Sequence, residues 1–195
     1  MLQSVESGSP LRIVGSISGK LSHYLVTRKP FTKIEDLKGA TVGILNMREG
    51  SFFWWQGMAA KHGLNFPADY KVYETSGAAA RHKLLLDGTI DAGLQSIPWN
   101  YVAEDAGLNS LDRASDYVPD YLFTSYIVNN DWAKAHPDLV ARFLRAILKA
   151  NDWIYRNRSA ASEIAARDIM KIKPAYAERA WDYFTGTGAL TRDLT

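Results

Sequence analysis

Three short polar stretches carry the residue types that could do chemistry, and each stands where a β-rich run gives way to a helical one. They hold Asn46, Gly50, Ser51 and Phe52; then Ser76 and Gly77; then Gln95, Ser96 and Trp99. A helix start presents free backbone N–H groups and about half a positive elementary charge. Three such starts converging on one sheet edge would suit a carboxylate, sulfonate, phosphate or nitrate. Ser51 and Ser76 also suit plain capping of their own helices. Phe52 and Trp99 fall in the first turns beside the expected crevice, which makes them candidate ligand walls. Trp54 with Met58, and Trp55 with Ala59, share helix faces by four-residue spacing and read as core.

Catalytic patterns are weak by comparison. His23, His62, His82 and His136 show no metal-ligand spacing, and no HExxH occurs. No nucleophile elbow surrounds any serine, and there is no Walker loop. Gly186-Thr187-Gly188 lacks the third glycine and preceding strand of a dinucleotide loop. His62, before Gly63, reads as facing water or the helix dipole, whereas His23 stands just ahead of a strand and within reach of a cleft. Arg81 and Lys83 read as a solvated helix face, with Arg81 one turn from the second loop. No cofactor is implied.

The elements that must position these residues alternate between strand and helix. Thr41 to Leu45 is a short apolar strand after Gly39, and a helix with Trp54, Trp55, Met58 and Ala59 runs to Gly63. Tyr70 to Glu74 alternates as a strand does, Ala78 to Asp87 is helical up to Gly88, and Thr89 to Leu94 is a third short strand. Pro98 suits the first turn of a helix reaching about Gly107. Leu11 to Ile17, Tyr24 to Arg28 and Leu122 to Val128 are further strands, with a short one around Leu111. Thr32 with Glu35 makes a capping box. From Asn130 only helices follow: Leu139 to Arg156 with a stripe of Val140, Phe143, Leu144, Ile147 and Ile154, then Ala160 to Lys171 and Ala175 to Phe184. Strand–helix alternation followed by helices alone predicts an α/β domain with a helical flank.

Composition narrows the classes. The chain has 195 residues, enough for one large domain or two small ones. Its 47% hydrophobic and 23% charged residues are ordinary for a globular protein. Scattered basic residues and a net charge of +2 give no reason to expect nucleic acid or an anionic membrane as partner. The absence of cysteine excludes disulfides, thiolate metal sites and cysteine nucleophiles. No apolar run approaches the roughly 20 residues that span a bilayer, and Met1 to Gly8 reads as the end of a helix rather than a signal peptide.

Asp36-Leu37-Lys38-Gly39, Val42-Gly43, Gly50-Ser51, Lys61-His62-Gly63-Leu64, Arg81, Leu84-Leu85, Asp87-Gly88 and Ile90-Asp91-Ala92 stand in an order that resembles a known family. Asp131-Trp132, Pro137-Asp138-Leu139-Val140 and Arg142-Phe143-Leu144 extend the likeness over nearly the whole chain. The family is the solute-binding proteins of nitrate, sulfonate, taurine and thiamine-precursor ABC importers. The resemblance implies an α/β fold of the periplasmic-binding-protein type II, with a mainly parallel sheet in one lobe and an incomplete, helix-rich first lobe. It assigns residues 1–28 to a remnant of lobe 1 and the first hinge strand. Residues 29–121 become lobe 2, and 122–195 the second hinge strand and the helical part of lobe 1. It further implies capture of a small anionic or aromatic solute in an interlobe cleft, a membrane permease as partner, and a periplasmic or lipid-anchored location.

By the same resemblance the chain is expected to be truncated at its start and possibly its end. Enzymes of the same fold, of the pyrimidine-precursor synthase or aromatic-acid decarboxylase type, are the alternative, with a non-binding fragment as a third reading. The synthases carry a cysteine-rich motif that this chain lacks. Apolar stripes in residues 11–17 and 139–184, without the family's earlier strands and helices to cover them, predict a homo-oligomer.

Overall fold

The computed structural model describes residues 5–119 and 121–194, which fall into two compact units. One comprises Leu21–Pro119, and the other joins Met1–Lys20 to Asp120–Thr195. The division lies at Lys20/Leu21, so residues 21–28 cluster with the sheet-bearing unit. Of the helix end expected over Met1 to Gly8, residues 1–4 lie outside the described residues.

The continuous unit is a five-stranded sheet flanked by helices. Its strands are β2 (His23–Thr27), β3 (Thr41–Ile44), β4 (Lys71–Glu74), β5 (Ala92–Ser96) and β6 (Asn109–Arg113), in the order β4-β3-β5-β2-β6. β3 is parallel to β4 and β5, while β2 runs antiparallel to β5 and β6. Helix α1 (Gly50–Lys61) links β3 to β4, α2 (Ala78–Asp87) links β4 to β5, and α3 (Trp99–Asp105) links β5 to β6. Val42, Ile44, Leu25, Val26 and Leu94 are buried in the sheet, and Trp54, Trp55, Met58 and Ala59 form the buried face of α1. That is the burial expected of short strands covered on both faces.

Several details differ from the sequence expectation. β5 (Ala92–Ser96) starts three residues late and ends two late, its end extended because antiparallel pairing with β2 continues through Tyr24↔Gln95 and His23↔Ser96. Gln95 and Ser96 are therefore strand residues rather than loop residues. Around Thr32, a 3₁₀ turn over Ile34–Leu37 is capped by Asp36, not Glu35. The Asp36 carboxylate accepts from the N–H groups of Thr32 and Lys33, at 2.9 and 3.1 Å.

The discontinuous unit pairs β1 (Leu11–Ser18) with β7 (Thr124–Asn129) in antiparallel fashion. Its helices are α4 (Asn130–Ala135), α5 (Pro137–Arg156), α6 (Arg158–Ile164) and α7 (Pro174–Gly186), with a π turn at Ala165–Met170. Residues beyond Gly188, where readable pattern ends, are ordered along β1. Ser16 N–H donates to the Leu194 carbonyl at 2.8 Å, and the Thr191 hydroxyl to the Ser16 carbonyl at 2.6 Å. The buried Asn151 amide of α5 donates to the Thr191 carbonyl at 2.9 Å. β1 is not buried on both faces as its apolar run suggests, since Ile13 is 40% exposed. Leu139, Phe143 and Trp153 of α5 are exposed as well.

Candidate functional site

β3 and β5 run parallel, so their carboxyl ends lie at one edge of the sheet, and α1 and α3 begin there. β4 and α2 bring the second loop to the same edge. β3 pairs with β5 only through Val42↔Ala92 and Gly43↔Gly93. From β3 the chain crosses to β4 on one side, then returns past β3 to β5 on the other. Right-handed crossovers place α1 and α2 on opposite faces of the sheet. The gap between the ends of β3 and β5 is thus a topological switch point, where open α/β sheets form ligand crevices.

The first loop spends its donors internally. Glu49, which the sequence reading passed over, caps α1: its Oε2 accepts from Ser51 N–H at 3.0 Å and from the Ser51 hydroxyl at 2.8 Å. Ser51 Oγ in turn accepts from Leu45 N–H at 3.1 Å. Asn46 folds back on the loop, its side-chain oxygen accepting from Arg48 N–H at 2.9 Å. Met47 N–H donates to Glu74 Oε1 at 3.2 Å, which joins this loop to the end of β4. Gly50 is small because of Trp54: a Cβ there would stand 2.6 Å from its ring. Phe52 is 5% exposed and packs edge-on against Phe66, whereas its neighbour Phe53 is 57% exposed.

The second loop is different. Thr75 ties it to β3, donating to the Ile44 carbonyl from its N–H at 2.8 Å and its hydroxyl at 3.0 Å. Ser76 is exposed and does not cap the helix. The N-cap is Gly77, at φ 119°, a conformation that favours glycine, and no side chain caps α2. In the third loop Ile97 N–H is taken by the Ser22 carbonyl at 2.9 Å. Ser96 and Trp99 are partly buried, and the Trp99 ring lies 5.6 Å from that of His82. Gln95 is fully buried, and neither its amide oxygen nor its nitrogen has a hydrogen-bond partner.

Arg81 is the residue that the sequence reading misplaced. It is 4% exposed, not part of a solvated face. Its stem lies across the two glycines of the β3–β5 pairing: a Cβ on Gly93 would be 2.5 Å from its Cδ, and one on Gly43 3.2 Å from its Cγ. Its Nη1 donates to the carbonyl of Leu94, and its Nε has no partner. Among the described residues no carboxylate lies within ion-pair distance of it. Burial pulls its pKa down, while the charge of Glu49 pulls the other way.

Two more polar groups sit close by. Asn100, in the first turn of α3, is 1% exposed with both amide atoms unpartnered. His23 stands at the start of β2 opposite Ser96, its ring 5.1 Å from that of Trp54. Burial, with a smaller contribution from the Arg81 charge, lowers its pKa to about 4. At the other end of α1, His62 does not simply face water: it joins Glu35 to the Tyr117 hydroxyl, at 2.7 Å on each side.

The NMT1/THI5-like family model matches residues 1–161. The chain belongs to that family. No curated protein matches it by sequence. Among solved structures, this NMT1/THI5-like chain is similar to the alkanesulfonate-binding protein SsuA of Xanthomonas axonopodis pv. citri bound to MOPS. The TM-score is 0.75 at 17% identity, covering 98% of this chain and 73% of that one. It is similar to the periplasmic nitrate-binding protein NrtA of Synechocystis PCC 6803, with TM-score 0.73, 13% identity and coverage of 89% and 50%.

A third similar structure is the ligand-binding component of an ABC-type import system from Staphylococcus aureus with zinc bound. There the TM-score is 0.74 at 15% identity, covering 92% of this chain and 61% of that one. The NMT1/THI5-like chain thus spans about three fifths of the length of this protein. The shared fold is the periplasmic-binding-protein type II fold, with its mostly parallel sheet. Among the described residues there is no group of three or more His, Cys, Asp or Glu that could hold a metal ion.

Proposed function

We propose that this NMT1/THI5-like chain is the solute-binding component of an ABC importer and takes a small anionic solute. The site proposed is the carboxyl edge of its five-stranded sheet. One observation carries the placement: of the three loops delivered there, those before α2 and α3 open helices that no side chain caps, and α2, at 10 residues against 7, is the longer. The N–H groups at Ser51 and Ile97 already serve the chain's own Glu49 and Ser22. Ser76, Gly77 and the first turn of α2 are the backbone donors proposed for the solute. Asn46, Gly50, Ser51 and Phe52 shape the neighbouring wall from behind, and Ser96 and Trp99 flank the third strand end.

Sulfonate, nitrate, taurine and thiamine-precursor solutes are the proposed candidates, with a membrane permease as the receiving partner and an extracytoplasmic location. No helix among the described residues is long and apolar enough to cross a membrane. The proposal is of a binding module and not an enzyme.

Thermal unfolding with sodium methanesulfonate, sodium nitrate, taurine and an aminopyrimidine tests it. A ligand at about 100 times its Kd adds about 2.7 kcal/mol, which at this chain length raises Tm by about 5–10 °C. At least one anion is expected to give such a shift. Equal shifts with the matching chloride salt, or none with any probe, would remove the proposal.

Self-association is proposed as well, through residues 11–17 and 139–184. Ile13, Leu139, Phe143, Trp153, Ile164 and Ile169 are all exposed there. Soluble monomers seldom leave apolar patches beyond a few hundred Å2 uncovered. Light scattering is expected to show a dimer or larger species, and Phe143→Glu to shift it toward monomer. A wild-type chain that stays monomeric at high concentration would count against it.

A further inference from the structure

We propose that Arg81, with the amides of Gln95 and Asn100, is a buried receptor for the solute's oxyanion; this rests on the binding reading above and names the groups that read the charge.

Burial argues for it first. An arginine stays protonated under all ordinary conditions, and an uncompensated buried charge is strongly destabilising. Arg81 has one neutral acceptor, the Leu94 carbonyl, an unpartnered Nε, and no carboxylate at ion-pair distance among the described residues. The Gln95 and Asn100 side-chain nitrogens add two buried donors without partners, and His82 Nδ1 is unpartnered too. Native proteins leave few such groups unsatisfied, and each one calls for an explanation. Those named here fall on α2, β5 and α3, three consecutive elements around one strand end, while Trp55, Tyr70, Ser110 and Ser162 hold others elsewhere.

Geometry argues second. Side chains alternate along a strand, so Gln95 points to the same face of β5 as Gly93 would. That is the face across which the Arg81 stem lies. Asn100 is the second residue of α3, four residues past the end of β5, and Trp99 beside it meets His82 of α2. The guanidinium therefore sits at the β3–β5 switch point with two amides on its own side of the sheet. The uncapped start of α2 is one turn away.

Guanidinium and amide N–H groups are all donors, and they suit an acceptor-rich terminus: a sulfonate, carboxylate or nitrate. A purely structural arginine would be wasteful here, because its stem packs on the glycines without need of a charge.

The deciding variant is Arg81→Met, which keeps an unbranched stem over Gly43 and Gly93 but removes the charge. Calorimetric titration uses sodium methanesulfonate and sodium nitrate as probes. Arg81→Met is expected to lose at least tenfold in affinity for whichever probe the wild type binds, with ligand-free Tm unchanged or raised. Gln95→Leu is expected to lose several-fold, with the ligand-free fold intact. Undiminished affinity in Arg81→Met would overturn this receptor while leaving the anion-binding reading standing. A wild type that binds neither probe would remove both. A ligand-free Arg81→Met that melts well below wild type would show that the guanidinium holds the fold, and this too would overturn the proposal.

Discussion

Gly93→Val is expected to cost about 3 kcal/mol of stability, at the top of the range for overpacking a filled site. A Cβ on Gly93 would stand 2.5 Å from Arg81 Cδ, 3.1 Å from its Cγ and 3.2 Å from the Gly43 carbonyl oxygen. The carbonyl belongs to the paired stretch of β3 and cannot retreat without breaking the β3–β5 ladder. The Arg81 stem is enclosed, so it too has little room. Valine would add two further carbons to a space already closed to one. Urea unfolding of Gly93→Val and Gly93→Ala checks the size of the loss. Combining Gly93→Ala with Arg81→Ala should recover about 1 kcal/mol or more relative to additivity, as coupled neighbours do. Gly57 is the control: it lies mid-α1 with nothing within 4 Å of an added Cβ. Gly57→Ala should gain about 0.5–1 kcal/mol from helix propensity and chain entropy. A Gly93→Val protein as stable as wild type would mean that Arg81 does not lie across the glycines.

The same glycines show where sequence reasoning stops. Apolar runs bounded by Gly39, Gly63 and Gly88 make β3, α1 and α2 legible, because those signals are local. Arg81 was not legible. The channel that buries it is made by Gly43 and Gly93, far apart in the chain and adjacent only once β3 and β5 pair. In linear sequence, Arg81 and Lys83 between alanines and leucines look like an ordinary wet helix face.

Capping misled in a similar way. Serine is a favoured N-cap, yet Glu49 reaches around to Ser51 N–H and takes its hydroxyl as well. A donor read from Ser51 as available to a ligand is thus already spent. Gln95 and Ser96 have no strong strand preference, and only their pairing with Tyr24 and His23 keeps β5 extended to that point. The amphipathic stripe of α5 was plain in the sequence, but its degree of burial depends on what packs against it. In this chain only Asn151 of that helix is buried.

The chain is expected to lose stability as pH falls from about 6.5 to about 4, with His23 a main cause. Its Nδ1 is sealed from solvent, and burial together with the Arg81 charge lowers its pKa to about 4 from the ordinary 6.5. The folded state therefore holds the neutral ring. Between the two values the unfolded chain binds the proton and the folded chain does not, so stability rises with pH across that window. The contribution is fully present above pH 6.5, is lost as pH falls, and changes no further below about 4. At about 1.4 kcal/mol per pH unit the full difference is about 3 kcal/mol, and about 2 kcal/mol is the fairer expectation because the ring is only partly enclosed. His82, whose pKa burial also lowers, acts with the same sign. The hydrogen-bonded carboxylates of Asp36, Asp69 and Asp87 have lowered values and lose their contributions only at lower pH, through and below the usual carboxylate range. Urea unfolding at pH 7.0 and at pH 5.0 therefore isolates the histidines. His23→Leu should flatten the stability profile between these pH values, with His82→Leu removing a smaller part. If His23→Leu leaves the slope of the wild type unchanged, His23 takes up its proton in the folded state as readily as in the unfolded one, and its place beside Arg81 and Trp54 is not the dry one described.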